Sequence, residues 1–312
     1  MQSAFDDRQE YLRQRADAQA RLALIPYDGT PEIKENDSGR YLYVKRREAG
    51  KLQSVYVGVY SDQLYTMLLQ YNRDSRALKK QIREIEKKLA ELGYTGSSLS
   101  VEVERNLGFA RANMKSCIYD QAVLEGVSTT FPQTETIIEN GVVSGMTPSD
   151  IQKIVNLKHA WEFILDKDVL SSPSDYYVLC HIDRLVNEGF PNTQGGRIRG
   201  VPVSIGGSSY VPPLPLELDV KDHIRDLTQK GAEPIEAAID LCLYCMKTQI
   251  FLDGNKRAAV IFANHYLIAH GGGLLVIPEA DVQDFRGLLV AYYEDRSDAV
   301  RDFMKEKCWR RM

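Results

Sequence analysis

One segment constrains the fold more than any other. In TQIFLDGNKRAAV (248–260) a tight polar turn opens directly into an apolar helix. Glycine tolerates left-handed dihedrals and asparagine often does, so Asp253-Gly254-Asn255 reads as a turn. The run that follows, AAVIFANHYLIA (258–269), is strongly apolar. It is too short to span a bilayer and contains Asn264 and His265, so it reads as a core helix and not as a membrane anchor.

The chain around this helix is patterned mostly for helices. Spans at 101–125, 148–166, 174–188, 219–230, 233–248, 256–270, 279–293 and 296–308 carry helical periodicity. Thr147, Pro148 and Asp150 mark one start, and Ser172, Pro173 and Ser174 another. The exception is GGRIRGVPVSIGGSSYVPPLP (195–215), whose alternating Val and Ile flank Gly206 and Gly207 and predict a β-hairpin. Upstream, residues 1–24 form a helix broken by Pro26, Asp28, Gly29 and Pro31. Residues 39–60 predict a second hairpin: Tyr41, Tyr43 and Val44, a basic turn at Lys45, Arg46, Arg47, Gly50 and Lys51, then Val55, Tyr56, Val57 and Val59. Leu78, Ile82, Ile85, Leu89 and Leu92 then repeat at spacings of 4, 3, 4 and 3, a heptad-like stripe. Gly93, Gly96 and the serines at 97, 98 and 100 form a linker. The expected class is therefore mainly α, with a small α+β region at 1–98 and a helical domain at 99–312.

Charge and cysteine content narrow the function. A net charge of -4 argues against a protein that coats nucleic acid over its whole surface. Residues 40–88 nevertheless hold 12 Lys or Arg against 5 Asp or Glu, with aromatic residues interleaved. That stretch reads either as a nucleic-acid-binding module centred on residues 40–60 or as a solvated hairpin with a helical arm. The stripe in the arm serves self-association into a homodimer or packing within the chain. Five cysteines, an odd and sparse set, suggest a reduced compartment. Cys242 and Cys245 lie inside a helical run with no second pair, and read as small packed residues. Residues 1–29 lack the apolar core of a signal peptide, so a cytoplasmic protein away from membranes is expected.

The turn at 253–257 has its own chemistry. Successive N–H groups at a helix start cradle anions, Lys256 and Arg257 add positive charge, and Asp253 suits a hard divalent cation. Donors, a guanidinium and one carboxylate together suit a nucleotide polyphosphate with its metal.

The same residues carry a resemblance. Phe251, Asp253, Gly254, Asn255, Lys256 and Arg257 resemble the signature loop of the Fic/Doc family, H-x-F-x-[DE]-G-N-[GK]-R, and the Lys after Asn is similar to the Doc branch. The run from Val203 to Pro213 resembles the family's target-binding flap. Asn156, Leu157 and Ala160 resemble a helix before it, and Leu124-Glu125-Gly126 the tail of an inhibitory helix. The resemblance spans roughly 105–300. It implies a Fic-type helical bundle with a flap. ATP or another nucleotide would bind with Mg²⁺ through Asp253, over an anion nest of Gly254, Asn255 and Lys256. Arg257 would lie on phosphate oxygens, and Phe251 would anchor the loop. It also implies that Ile205, Gly206, Gly207 and Tyr210 of the flap pair with an extended protein target.

Three positions depart from that pattern. Gln249 stands where the family has its catalytic histidine, and an amide cannot act as general base at physiological pH. Val260 stands where adenylylating relatives carry a second Arg that pairs with the inhibitory Glu, so Glu125 lacks its usual partner, for which Arg257 or Lys256 could substitute. Gln121 replaces a Ser or Thr of the inhibitory motif. Glu125 is thus either an inhibitor or a helix-ending surface residue beside Gly126. Among the histidines, His265 lies down the core helix, while His223 is the hardest to exclude as a substitute base. Two functions follow: a nucleotide- and target-binding Fic-fold protein that is catalytically impaired, or an active protein adenylyltransferase or Doc-like phosphoryl transferase.

Overall fold

The computed structural model describes residues 2–48 and 51–312; Gly50 of the basic turn lies outside them. Two compact units divide the chain, Met1–Thr95 and Gly96–Met312.

The first unit opens with helix α1 (Gln2–Ala23) and continues into a three-stranded antiparallel sheet, β1 (Thr30–Asn36), β2 (Gly39–Glu48) and β3 (Lys51–Val59). The sequence suggested only the last two strands. Helix α2 (Asp62–Glu91) follows, with Ser61 accepting from the Leu64 N–H as its N-cap. The first half of α2 covers one sheet face, where Leu68 packs against Leu42 and Val44. In its second half Ile85 and Leu89 pack on Leu12 of α1, so the heptad-like stripe finds an apolar partner within its own chain. The turn before β1 is tied to α2 by Asp28, which accepts from Lys79 at 2.6 Å.

The second unit is built around helix α10. Its outer elements are α3 (Val101–Leu124), α4 (Phe131–Ile138), α5 (Pro148–Ile164), α6 (Lys167–Leu170), α7 (Tyr176–Val186), α8 (Glu217–Gln229) and α9 (Pro234–Thr248), all preceding α10 (Asn255–Ala269). After it come β4 (Leu274–Leu275), α11 (Val282–Tyr293), α12 (Ala299–Phe303) and β5 (Trp309–Arg310). Every residue of α10 from Ala258 to Ile268 is buried, as its composition predicts. Its polar members are satisfied internally: Asn264 donates to Leu275 O at 2.7 Å and accepts from Leu275 N. Burial pushes the His265 imidazole down to about 4. It faces Ser174 Oγ and Val169 O and serves the core.

Two expectations need correction. The 195–215 segment is not a β-hairpin: it forms no ladder between its arms, but turns closed by Arg197 N on Gln194 O and Ser208 N on Ile205 O, and a bridge between Ile198 and Phe251. Pro202, Pro212, Pro213 and Pro215 remove backbone donors from both arms, which prevents cross-strand pairing. The expected helix at 296–308 is a short α12, a π turn over Met304–Cys308 and then β5, which pairs with β4. Among the described residues, no helix is long and apolar enough to cross a membrane.

Candidate functional site

Helix α9 ends at Thr248, and Gln249 caps it in the left-handed conformation (φ 50, ψ 61). This backbone reverses the chain into the 249–254 loop. The Gln249 side chain ties the two flanking helix ends: Nε2 donates to Met246 O of α9 at 2.6 Å, and Oε1 accepts from Asn255 Nδ2 at the start of α10 at 3.2 Å. Asn255 closes the turn, accepting from Phe251 N at 2.9 Å and donating to Phe251 O at 2.8 Å. Its amide is spent on shaping the loop. Phe251 is 1% exposed and anchors the loop in the core.

Gly254 is required on two grounds. Its φ is +79, and a Cβ there would lie 2.6 Å from Asn187 Nδ2. Asn187 donates to Asp253 O and to Asp183 Oδ1. Asp183, beneath the loop, also accepts from Gly196 N at 2.8 Å, so one carboxylate links α7, the loop and the base of the 195–215 segment. Burial pushes its pKa up to about 7, against the opposing pull of these donors and of Arg257. Sequence reading passed over Asp183 and Asn187; their spacing of four on one helix face was the available signal.

α10 begins at Asn255 after Gly254, with no side chain capping its first turn. The Asp253 side chain is 59% exposed, and its Oδ2 accepts from Arg257 at 3.2 Å. Arg257 is buried. It donates to Val186 O at 2.6 Å and to Asn187 Oδ1 at 3.3 Å, and its Nε lies 3.3 Å from Glu125 Oε2. Lys256 Nζ lies 3.7 Å from Glu125 Oε1. Glu125, only 14% exposed at its side chain, is thus no surface residue: Lys256 and Arg257 together partner it where the second Arg is absent. Neither Arg257 Nε nor Glu125 Oε1 has a hydrogen-bond partner among the described residues.

Glu125 is held in place from behind. It caps α3, Arg286 donates to Leu124 O at 2.7 Å, and Gly126 turns the chain at φ +79. Gln121, one turn earlier, donates to Arg257 O at 2.8 Å and accepts from Trp161 Nε1 at 3.0 Å, stapling α3 to α10. Val260 is 1% exposed, in the core. His223 stacks on Tyr244 of α9 with ring centroids 4.0 Å apart, and burial lowers its pKa. Cys242 and Cys245 are buried in α9, where burial raises both thiols.

The flap segment lies against the same corner. Arg199, 4% exposed, donates to five carbonyls: Gln249 at 2.5 Å, Thr248, Val201, Pro212 and Pro213. It therefore joins both ends of the segment to the loop. At the tip, Glu294 accepts from Ser209 N at 2.7 Å and from the Ser208 and Ser209 hydroxyls, which hold its carboxyl down at about 2. Lys247 lies over the Tyr210 ring at 5.3 Å. Ile205 is half-buried, and Gly206 and Gly207 are exposed with open space around them. Arg199 and Glu294 were not picked out from the sequence.

These residues fit a polyphosphate and its cation in part. The uncapped α10 start and the exposed Asp253 are available; Asp253 would hold Mg²⁺ jointly with phosphate oxygens. Glu125 stands against them, because its carboxylate already occupies the two cations a phosphate needs.

Comparison with known proteins agrees with this geometry. Residues 173–267 match the Fic/DOC family model, and residues 5–66 match a domain of unknown function, DUF6788. "Protein adenylyltransferase fic-1" of Caenorhabditis elegans is 26% identical over 192 residues, 59% of this chain, and its Caenorhabditis briggsae counterpart 25% over 193. The match spans only 38% of the length of either relative. Among solved structures, C. elegans Fic-1 superimposes with a TM-score of 0.51 at 20% identity, covering 78% of this chain and 77% of that one. A Fic domain containing signaling protein from Bacteroides thetaiotaomicron gives 0.54 at 17%, covering 67% and 84%. The helical core, the loop at 249–257 and the family match over 173–267 establish that the chain carries a Fic/DOC-family domain.

Proposed function

We propose that this protein is a Fic-fold nucleotide-phosphate-binding protein, catalytically impaired, whose flap receives an extended segment of a protein target. One observation carries the reading: both polar ends of the Gln249 side chain are engaged by the helices flanking the loop, at Met246 O of α9 and Asn255 Nδ2 of α10. A side chain so engaged neither takes a proton nor meets an incoming hydroxyl, and losing a general base costs about 10²–10⁴ in rate. The binding elements are independent of that loss. The α10 N–H groups and Lys256 would hold phosphate, Asp253 the Mg²⁺, and Arg257 would reach phosphate once Glu125 is displaced. The exposed arm around Ile205, Gly206 and Gly207 would offer backbone to a target strand.

The alternative is an active protein adenylyltransferase or Doc-like phosphoryl transferase. The likeness to the fic-1 adenylyltransferases supports it. Radiolabelled ATP, Mg²⁺ and a cell lysate separate the two. The proposal expects no labelling by the parent protein and calorimetric binding of ATP with Mg²⁺ that Asp253→Ala weakens. Labelling by the parent that Asp253→Ala abolishes would establish the transferase. Absence of nucleotide binding in both the parent and a Glu125→Ala variant would remove the nucleotide site altogether.

A further inference from the structure

The three-stranded sheet of the N-terminal unit has a second face, opposite the one that α2 covers. Leu42 and Val44 of β2 turn toward Leu68 of α2, which sends Tyr41, Tyr43, Lys45 and Arg47 to the opposite face. The register sets Lys34 beside Tyr41, Glu32 and Tyr56 on either side of Tyr43, and Ser54 beside Lys45. Three tyrosines cluster there: Tyr56 lies 5.4 Å from Tyr43 and 6.3 Å from Tyr41, centroid to centroid. Lys34 Nζ sits 4.2 Å over the Tyr43 ring. Tyr56 is 51% exposed, and its strand neighbours Leu52 and Val59 are 65% and 66% exposed.

We propose that this open sheet face binds single-stranded nucleic acid, stacking bases on Tyr56, Tyr43 and Tyr41 and seating phosphates on Lys34, Lys45 and Arg47. The choice of occupant rests on charge and shape. The end of the hairpin, Lys45 to Lys51, is basic, although the chain as a whole carries -4. Cations bordering one exposed and two half-buried tyrosine rings match a strand whose phosphates and base faces alternate. In a duplex the base faces are already stacked on one another and leave the tyrosines without partners. One acid opposes the ligand. Glu32 accepts from Ser54 and pairs with Lys45 at 2.6 Å and Lys34 at 3.7 Å, so it competes with phosphate for both lysines.

The test is fluorescence anisotropy of the full-length protein with a labelled oligothymidylate of about 16 nucleotides. Binding at low salt should fall with a log–log salt slope of about -2, the value for three neutralised phosphates on a single strand. Tyr56→Ala should weaken it roughly tenfold, and Lys45→Ala should lower the slope by about 0.7. Glu32→Gln should tighten it, a gain that loss of folding cannot imitate. Four results would each overturn the proposal: no binding at low salt, equal affinity for the duplex, affinity indifferent to both Tyr56→Ala and Glu32→Gln, or a nucleic-acid-free dimer that Tyr56→Ala dissociates. The last would assign the face to a second copy of the chain.

Discussion

Removing Arg199 should loosen the flap and the loop together. Among the described residues the guanidinium contacts five carbonyls and no carboxylate, and of these bonds only that to Pro212 O is fully buried. A charge-assisted bond to a buried acceptor contributes about 2 kcal/mol, and one whose acceptor water can reach contributes about 0.5 kcal/mol. Arg199→Met therefore forfeits about 4 kcal/mol of bonding. The cost of burying a cation without a counter-charge offsets part of that, leaving a net loss of about 2–3 kcal/mol. For a unit of this size that lowers the melting midpoint by roughly 4–12 °C. Arg199→Lys should recover little, since a point ammonium cannot span acceptors that a planar fork reaches together. Thermal melting by circular dichroism reads the global effect, and limited proteolysis reads the 200–212 segment. If Arg199→Met melts within about 1 °C of the parent and its flap resists proteolysis equally, the guanidinium does not hold these two elements together.

Three further perturbations address the same corner. Gly254→Ala meets both a left-handed backbone and the Asn187 amide 2.6 Å from its new Cβ, so urea titration should show a loss of about 1–3 kcal/mol; an unchanged midpoint would mean the loop has room to shift. Asp183 titrates near 7 in the folded protein, above its ordinary 3.8, so the native state binds the proton more tightly than the unfolded chain. Stability should then fall as pH rises from about 4 to 7 and level off above, and Asp183→Asn should flatten that slope in melting midpoints measured across the range. Glu125→Ala frees Lys256 and Arg257, and calorimetry should show affinity for ATP with Mg²⁺ rising about fivefold or more; an equal or weaker affinity would mean that Glu125 does not guard the phosphate site.

What the sequence made legible was whatever short-range chemistry specifies. The 249–254 loop and the start of α10 declare themselves through Gly254 and Asn255, and the rest of α10 through an apolar run interrupted only by Asn264 and His265. α5 declares itself through the Thr147 cap, whose hydroxyl accepts from Asp150 N. β1 escaped notice because TPEIKEN is an exposed edge strand carrying a proline and three charges, and it gains its pairing only from β2. α4 is a single short helix whose capping box, Thr130 with Gln133, was present and unread. The alternation of Val201, Val203 and Ile205 imitated a strand, but the prolines around it decided the outcome. Arg199 could not be found locally, because its partners at Thr248, Gln249, Pro212 and Pro213 meet it only after the chain has folded.

Gln249, Gln121, Val260 and Glu125 are linked through contacts, and this bears on what a single substitution achieves. Gln249 receives a bond from the same Asn255 amide that shapes the turn, so Gln249→His changes a brace of the loop as well as the candidate base. Gln121 holds the Arg257 carbonyl, and Val260 is packed in the core with its carbonyl accepting from Asn264, so a second arginine at 260 has no route to solvent without repacking α10. Glu125 has meanwhile taken up the cations that remain. An imidazole placed at 249 alone leaves Glu125 on Lys256 and Arg257. On the proposed function, pairing that change with Glu125→Ala would supply a base and vacate the proposed phosphate site at once. If the impairment arises at these contacts, label transfer from ATP should emerge in the double variant and stay weak in Gln249→His alone.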